Sequence, residues 1–256
     1  MQNKNIVLLA GQGISSNIVF NALDEVWGIS KAIVEEKESR EKMISRRIKK
    51  LGYFTVAGQL IFQTLVVPLL KKNAAKRIVV IFKENYFNTH TIPADKLVSV
   101  SSVNNQATAD IINAINPAVV IVNGTRIISK KILSNISCPV INMHVGITPA
   151  YRGVHGGYWA LVNNDTANCG VTIHLVDAGI DTGAILYQDI IVPSAKDNFI
   201  SYPYLQLASG ISLLKKAVED ALAGKLNPYT LKGKSGLWYH PTVWQYFYNR
   251  LFKKVK

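Results

Sequence analysis

Four short runs of branched apolar residues constrain this chain more than any other feature. They cover residues 5–10, 29–34, 118–122 and the stretch that opens at 140, and polar or glycine-bearing turns follow them. Runs that are apolar at nearly every position suit strands buried on both faces. Helix-type patterns separate them, at residues 18–26 after the first run and 110–115 before the third. Strand and helix alternating at this spacing predict an α/β fold: a doubly wound, mostly parallel sheet. Chemistry in such sheets sits beyond the carboxyl ends of the strands, and residues 123–128 and 142–144 occupy those places.

The first strand runs into Gly11-Gln12-Gly13-Ile14-Ser15-Ser16, where Ser15 or Ser16 is expected to cap the helix. A third glycine is missing from the dinucleotide pattern. The turn reads equally well as a backbone cradle for phosphate, with Gly11, Gly13 and Ser15 in it, or as glycines required by a sharp bend. Residues 35–77 break the βα rhythm as a helical insertion. Arg40, Lys42, Arg46, Arg47, Lys49 and Lys50 precede an apolar run at 54–70, and Lys71, Lys72, Lys76 and Arg77 follow it. With Gln59, Gln63 and Pro68 inside it, the run is read as short of the ~20 residues a spanning helix needs. The expected role is packing on the core or a subunit contact, ahead of a helix lying on an anionic membrane. Strands are expected to resume at 77–82 and 97–100. A short helix is expected at 129–133.

The chain has 256 residues, 48% of them hydrophobic and 18% charged, which is a globular composition. A net charge of +13 favours an anionic partner. Cys138 and Cys169 have no metal-ligand spacing, so no metal site is expected, and Cys169 is read into a polar turn. The N-terminus lacks the apolar length of a signal peptide, which makes a cytoplasmic enzyme the expectation.

Residues 140–181 read VINMHVGITPAYRGVHGGYWALVNNDTANCGVTIHLVDAGID. Strand periodicity places Asn142 and His144 on one face. Pro149 and Gly153 bend the chain around Tyr151 and Arg152. A second strand at 171–176 carries His174, read as a supporting histidine, and the acidic loop after it closes on Asp181. A third strand at 184–192 is expected to pair antiparallel with it. An amide to meet an oxyanion, an imidazole to donate to it or to move a proton, and a carboxylate to orient the imidazole suit acyl transfer to an amine. No serine or cysteine stands in a nucleophile setting, so transfer is expected to be direct, through a tetrahedral intermediate.

The runs NMHVGITPAYRG and HLVDAGIDTG resemble the signature of the 10-formyltetrahydrofolate-dependent formyltransferases. The order of elements follows that family over residues 5–192. The resemblance implies a Rossmann-like formyltransferase domain at 1–195 and makes Asn142, His144 and Asp181 the catalytic set. It assigns the co-substrate 10-formyltetrahydrofolate to Thr125, Arg126, Ile127 and Ile128 and to the loop Asp177, Ala178, Gly179 and Ile180. Gly146 stands where the family often has serine, and Thr148 where leucine is common.

Residues 196–256 form a helical and aromatic tail, with Leu207, Ile211, Leu214, Val218 and Leu222 on one helix face and Gly224 as its stop. His90 and His240 are expected at the surface. Within the family the expected acceptor is the amine of a nucleotide-activated amino sugar, used in polysaccharide biosynthesis. Gly11, Gly13, Ser15, Tyr151, Arg152, His155 and Trp159 are its candidate contacts, and a homodimer is expected. Other acceptors remain open: a ribonucleotide, aminoacyl-tRNA or a lipid-linked amine. A non-catalytic module for nucleic acid or membrane is the reading from another class.

Overall fold

A computed structural model describes residues 4–256; Met1, Gln2 and Asn3, which open the signal-peptide reading, lie outside the described residues. The chain begins with β1 (Ile6–Gly11), α1 (Ile14–Trp27) and β2 (Lys31–Glu35). After the helices described below come β3 (Leu97–Val100), α5 (Gln106–Ile115), β4 (Val119–Asn123), α6 (Lys130–Leu133) and β5 (Val140–His144). A short strand β6 (Arg152–Gly153) and helix α7 (Gly156–Val162) lead to β7 (Gly170–Leu175) and β8 (Ile185–Ile190). The order in the seven-stranded sheet is β3-β2-β1-β4-β5-β7-β8. β1 to β5 are parallel, while β7 runs antiparallel to both β5 and β8. This is the doubly wound, mostly parallel sheet that the apolar runs call for, and its order reverses between β1 and β4.

Strand alternation divides the core. Ile6, Leu8, Ile121, Ile141 and Met143 pack on one face under α1 and under α8 (Tyr202–Leu222), through Leu23, Leu207, Leu214 and Val218. Val7, Leu9, Val120 and Val140 pack on the other under α5 and α6. Residues of both sets in β1 are fully buried, so that strand is apolar at every position. Ile141 and Met143 turn to the α8 side, which leaves Asn142 and His144 to the opposite face.

The insertion departs from the sequence reading. Residues 77–82, expected as a strand because of the β-branched run Ile78–Val80, are helical. Helices α2 (Arg40–Leu51), α3 (Tyr53–Ile61) and α4 (Val67–Glu84) fill the interval, and a five-residue π turn (Phe62–Val66) joins α3 to α4. α3, the π turn and α4 make one helical run, Tyr53–Glu84, of 32 residues. The expectation that this segment is too short to span a membrane is therefore corrected: length and composition alone would allow it. Helix wins because Phe62, Val66, Leu70, Ala74 and Ile81 recur at helical spacing and are buried.

That inner stripe enters a third, aromatic core. Phe62 packs on Phe199 and Tyr246 at ring separations of 5.1 and 4.9 Å. Tyr246 belongs to α9 (Val243–Phe252), whose capping box uses Thr242 and Gln245. A further strand, β9 (Leu237–Trp238), pairs in parallel with β6. Two smaller expectations also change. Gly13, not a serine, precedes α1, because Ser16 Oγ turns back to the carbonyl of Gly11. Cys169 is fully buried rather than in a polar turn.

Candidate active site

Residue i, i+2 spacing on β5 and an antiparallel register with β7 put four side chains together. Asn142 registers with His174, and His144 with Thr172. The Asn142 amide lies 3.0 Å from His174 Nε2. His174 Nδ1 is 2.7 Å from the carbonyl of Leu175 and donates to it, so in the neutral ring Nε2 accepts from Asn142 Nδ2. One proton of the Asn142 amide is thereby engaged, and the second is left to meet a ligand oxygen.

The loop after β7 folds back over this face and brings Asp181 to it. Its carboxylate lies 3.4 Å from His144 Nδ1 and 3.6 Å from His174 Nε2, and it accepts the Gly153 amide at 2.9 Å. Asp181 sits at φ 50, a left-handed conformation that aspartate tolerates better than most residues. Burial alone would lift its carboxyl. The two imidazoles, in their protonated form, and the Gly153 amide outweigh that and hold it down at about 2. Burial lowers the pKa of His144, against the attraction of Asp181. At neutral pH the pair is therefore a neutral imidazole beside a carboxylate.

His144 Nε2 sits 2.8 Å from the Tyr151 carbonyl and donates to it. The Nδ1 lone pair then faces Asp181, and two acceptors 3.4 Å apart can share one incoming proton. The bend that delivers the Tyr151 carbonyl leaves no room for a side chain at Gly146. A Cβ there would stand 2.2 Å from that carbonyl oxygen and 2.6 Å from His144 Nε2. Thr172 Oγ1 fixes the same bend, donating to Gly146 and accepting from the Thr148 amide.

The structure thus brings Asn142, His144 and Asp181 into one cluster and adds His174. It scatters the other candidates. Arg126 ties strand ends together: it pairs with Glu35 and donates to the carbonyls of Glu36 and Ser101. Thr125 Oγ1 donates to the Arg126 carbonyl, Ile127 is exposed and Ile128 is buried. In the other loop Asp177 accepts from the Gly179 amide and the Thr182 hydroxyl, while Ala178 is exposed and Ile180 offers its carbonyl to Arg152. Gly11 is needed where β1 meets Gly124, since a Cβ would lie 2.2 Å from that carbonyl oxygen. Gly13 has open space beside it, and Ser15 is 3.5 Å from the Asn123 amide.

Three acceptor candidates have partners inside the chain. Tyr151 donates its hydroxyl to Asp165 and stacks on Trp238. Trp159 donates to the Tyr239 carbonyl and stacks on Trp238. His155 packs on Phe199 and bonds His240 at 2.9 Å. These side chains dock the C-terminal segment instead of lining an open pocket. Arg152 stays beside the site, donating to the Ile180 carbonyl, and its buried Nε has no hydrogen-bond partner among the described residues. His240 is likewise not a surface residue: burial, with Arg47 nearby, lowers it to about 4. His90 is exposed, as expected.

Two parts of the cluster escape sequence reasoning for different reasons. The Tyr151 carbonyl and Gly153 amide are backbone groups, which every residue carries. The contact of His174 with Asn142 needs the antiparallel pairing of β5 with β7, which β6 and α7 separate in the chain, so strand period alone does not reveal it.

A doubly wound sheet thus carries an amide, an imidazole and a carboxylate together at a strand end. The formyl transferase family matches residues 62–199, more than half of the chain. This protein belongs to that family. Its curated relatives include methionyl-tRNA formyltransferases of Finegoldia magna, 31% identical over 128 residues, and of Synechocystis, 34% identical over 109. Those matches take in 48% and 43% of this chain but only 40% and 33% of the relatives. Similar solved structures include a phosphoribosylglycinamide formyltransferase from Anaplasma phagocytophilum, with a TM-score of 0.58 at 16% identity, covering 93% of this chain and 98% of that one. A sugar N-formyltransferase from a Shewanella species scores 0.55 at 18% identity, covering 91% and 76%. An N-formyltransferase from Helicobacter canadensis, solved with folinic acid and dTDP-3-aminofucose, scores 0.54 at 16% identity, covering 91% and 70%.

Proposed function

We propose that the protein moves a formyl group from 10-formyltetrahydrofolate to the primary amine of a nucleotide-activated amino sugar. The observation that carries the reaction is the pairing of a neutral His144 with an ionised Asp181 beside the Asn142 amide. The amine nitrogen bonds to the formyl carbon, the donor's carbon–nitrogen bond breaks, and one proton passes from the amine to the departing nitrogen. The free N–H of Asn142 meets the oxyanion. Nδ1 of His144 and the Asp181 carboxylate hold the proton in transit, and His174 keeps the Asn142 amide turned to the site.

When bound, the folate supplies the activated formyl group. Arg126 is committed to Glu35 and to backbone carbonyls, so the donor's ring would be read by main-chain groups of the Thr125–Ile128 and Asp177–Ile180 segments. Ile127, Ala178 and Gly179, exposed in those segments, present small or apolar surface beside the main chain, which fits such a ligand. The acceptor assignment rests on Arg152, a cation that donates to the carbonyl of Ile180, the residue before Asp181, and whose Nε has no partner among the described residues, which suits a phosphate-bearing substrate.

Incubation with 10-formyltetrahydrofolate and a panel of nucleotide-linked amino sugars is expected to yield one product heavier by one formyl group. No sugar product, with formylation of charged tRNA instead, overturns the acceptor. Asp181→Asn and His144→Asn are expected to lower turnover by ~100-fold or more in folded protein. Full activity in either variant removes the mechanism.

A further inference from the structure

Two helices carry apolar side chains that nothing among the described residues covers. Along the run from Tyr53 the outward positions are Phe54, Ile61, Leu65 and Leu69; Phe54, Leu65 and Leu69 are 74%, 65% and 63% exposed. On α9 they are Trp244, Phe247, Tyr248, Leu251 and Phe252, all exposed. Both sets follow helical spacing, so each is one stripe. Phe54 stacks on Trp244 with ring centres 4.3 Å apart, which joins the stripes into one face.

The inner sides of the same helices are fastened to the domain. Gln59 donates to the His240 carbonyl at 2.7 Å, and Asn249 donates to the Tyr158 hydroxyl at 3.0 Å. Gly58 lets the indole of Trp244 lie against the α3 backbone, since a Cβ would stand 2.3 Å from the ring. Farther along, Arg77 pairs with the buried Asp197 at 2.9 Å. A helix attached along its whole inner side cannot thread a bilayer without unmaking those contacts. It can lie on one. The exposed stretch from Tyr53 to Leu69 is about 25 Å long at helical rise.

Charge selects the occupant. No acidic residue occurs between Tyr53 and Lys83 or anywhere after Asp220. Lys71, Lys72 and Lys76 continue the long helix, and Arg250, Lys253 and Lys254 close α9. A second copy of this chain meeting the face across a two-fold axis would set these cations against their own equivalents. An anionic lipid surface complements them. Trp and Tyr at the edge of an apolar stripe suit the headgroup boundary. The face also falls largely outside the family match, which starts at residue 62 and ends at 199.

We propose that the joined outer faces of the Tyr53–Leu69 helix and α9 form an interfacial docking surface for an anionic lipid bilayer. The test is vesicle flotation of the full chain with phosphatidylcholine alone and with an equimolar mixture containing phosphatidylglycerol, at low and high salt. Binding is expected on the mixed vesicles, weakened by salt. Leu65→Glu with Leu69→Glu is expected to lower partitioning by ~10-fold or more while leaving the circular dichroism spectrum and urea midpoint unchanged. Lys71→Gln with Lys72→Gln and Lys76→Gln is expected to remove only the part that depends on anionic lipid. Three results overturn the proposal: no binding to the mixed vesicles at low salt, partitioning indifferent to the leucine substitutions, or a solution dimer that those substitutions dissociate.

Discussion

His155 and His240 share one hydrogen bond, 2.9 Å between Nε2 and Nδ1, across 85 residues of sequence. It needs a lone pair on one ring and a proton on the other, so full protonation of both destroys it. Burial pushes His155 well below its ordinary value, with His240 adding to the effect. Burial and the nearby Arg47 lower His240 from 6.5 to about 4. A histidine depressed in the folded state stabilises above the unfolded value, and that stability is lost as pH falls through 6.5 towards 4. The His240 shift corresponds to a ceiling of about 3 kcal/mol, of which about 2 kcal/mol is lost by about pH 5, a pH still above the folded value. Urea unfolding followed by tryptophan fluorescence measures it, because Trp159, Trp238 and Trp244 all sit where the C-terminal segment docks. His240→Gln can keep a partner for His155 without titrating. Its drop in stability between about pH 8 and about pH 5 should be smaller than that of the wild type by about 2 kcal/mol. An equal drop in both proteins refutes the linkage.

Two further substitutions probe the site and the core beneath the long helix. Gly146→Ser places a Cβ against the Tyr151 carbonyl, so that oxygen must move away from His144; turnover should fall by ~10-fold or more with the fold retained, and unchanged steady-state rates contradict it. Phe62→Ala empties a fully buried position between Phe199 and Tyr246; denaturant unfolding should show a loss of about 3–5 kcal/mol, and a loss below about 1 kcal/mol shows that the aromatic cluster does not anchor the helix.

What the sequence made legible was local. Asn142 and His144 follow from strand period, and Asp181 from the turn that must close after residue 176. The doubly wound sheet follows from apolar runs at βα spacing. The errors came where local propensity met a longer pattern. Ile78, Val79 and Val80 suit a strand, yet Leu70, Ala74, Arg77 and Ile81 are spaced for one face of a helix, and burial of that face decided it. His240 gives no sign of burial in its own neighbourhood, because its partners His155 and Gln59 lie 85 and 181 residues away. Tyr151 and Trp159 lie in the motif's own stretch, but their side chains turn towards β9, a two-residue strand too short to show periodicity.

That two-residue strand links the site to the rest of the molecule. Arg152 and Val154 donate their amides to the carbonyls of Gly236 and Trp238, and between them Gly153 donates its amide to Asp181. Trp238 returns a hydrogen bond to the Ala150 carbonyl, one residue before the carbonyl that holds His144. The segment that bears α9 therefore also sets two backbone groups of the acid–base pair. Loosening it would withdraw the Gly153 amide from the carboxylate and let burial raise the Asp181 pKa. It would also free the imidazole from Tyr151. These bonds join docking of the C-terminal segment to the surroundings of Asp181 and His144, so the His240→Gln variant should shift the pH profile of turnover along with the profile of stability, and an unchanged turnover profile refutes the link.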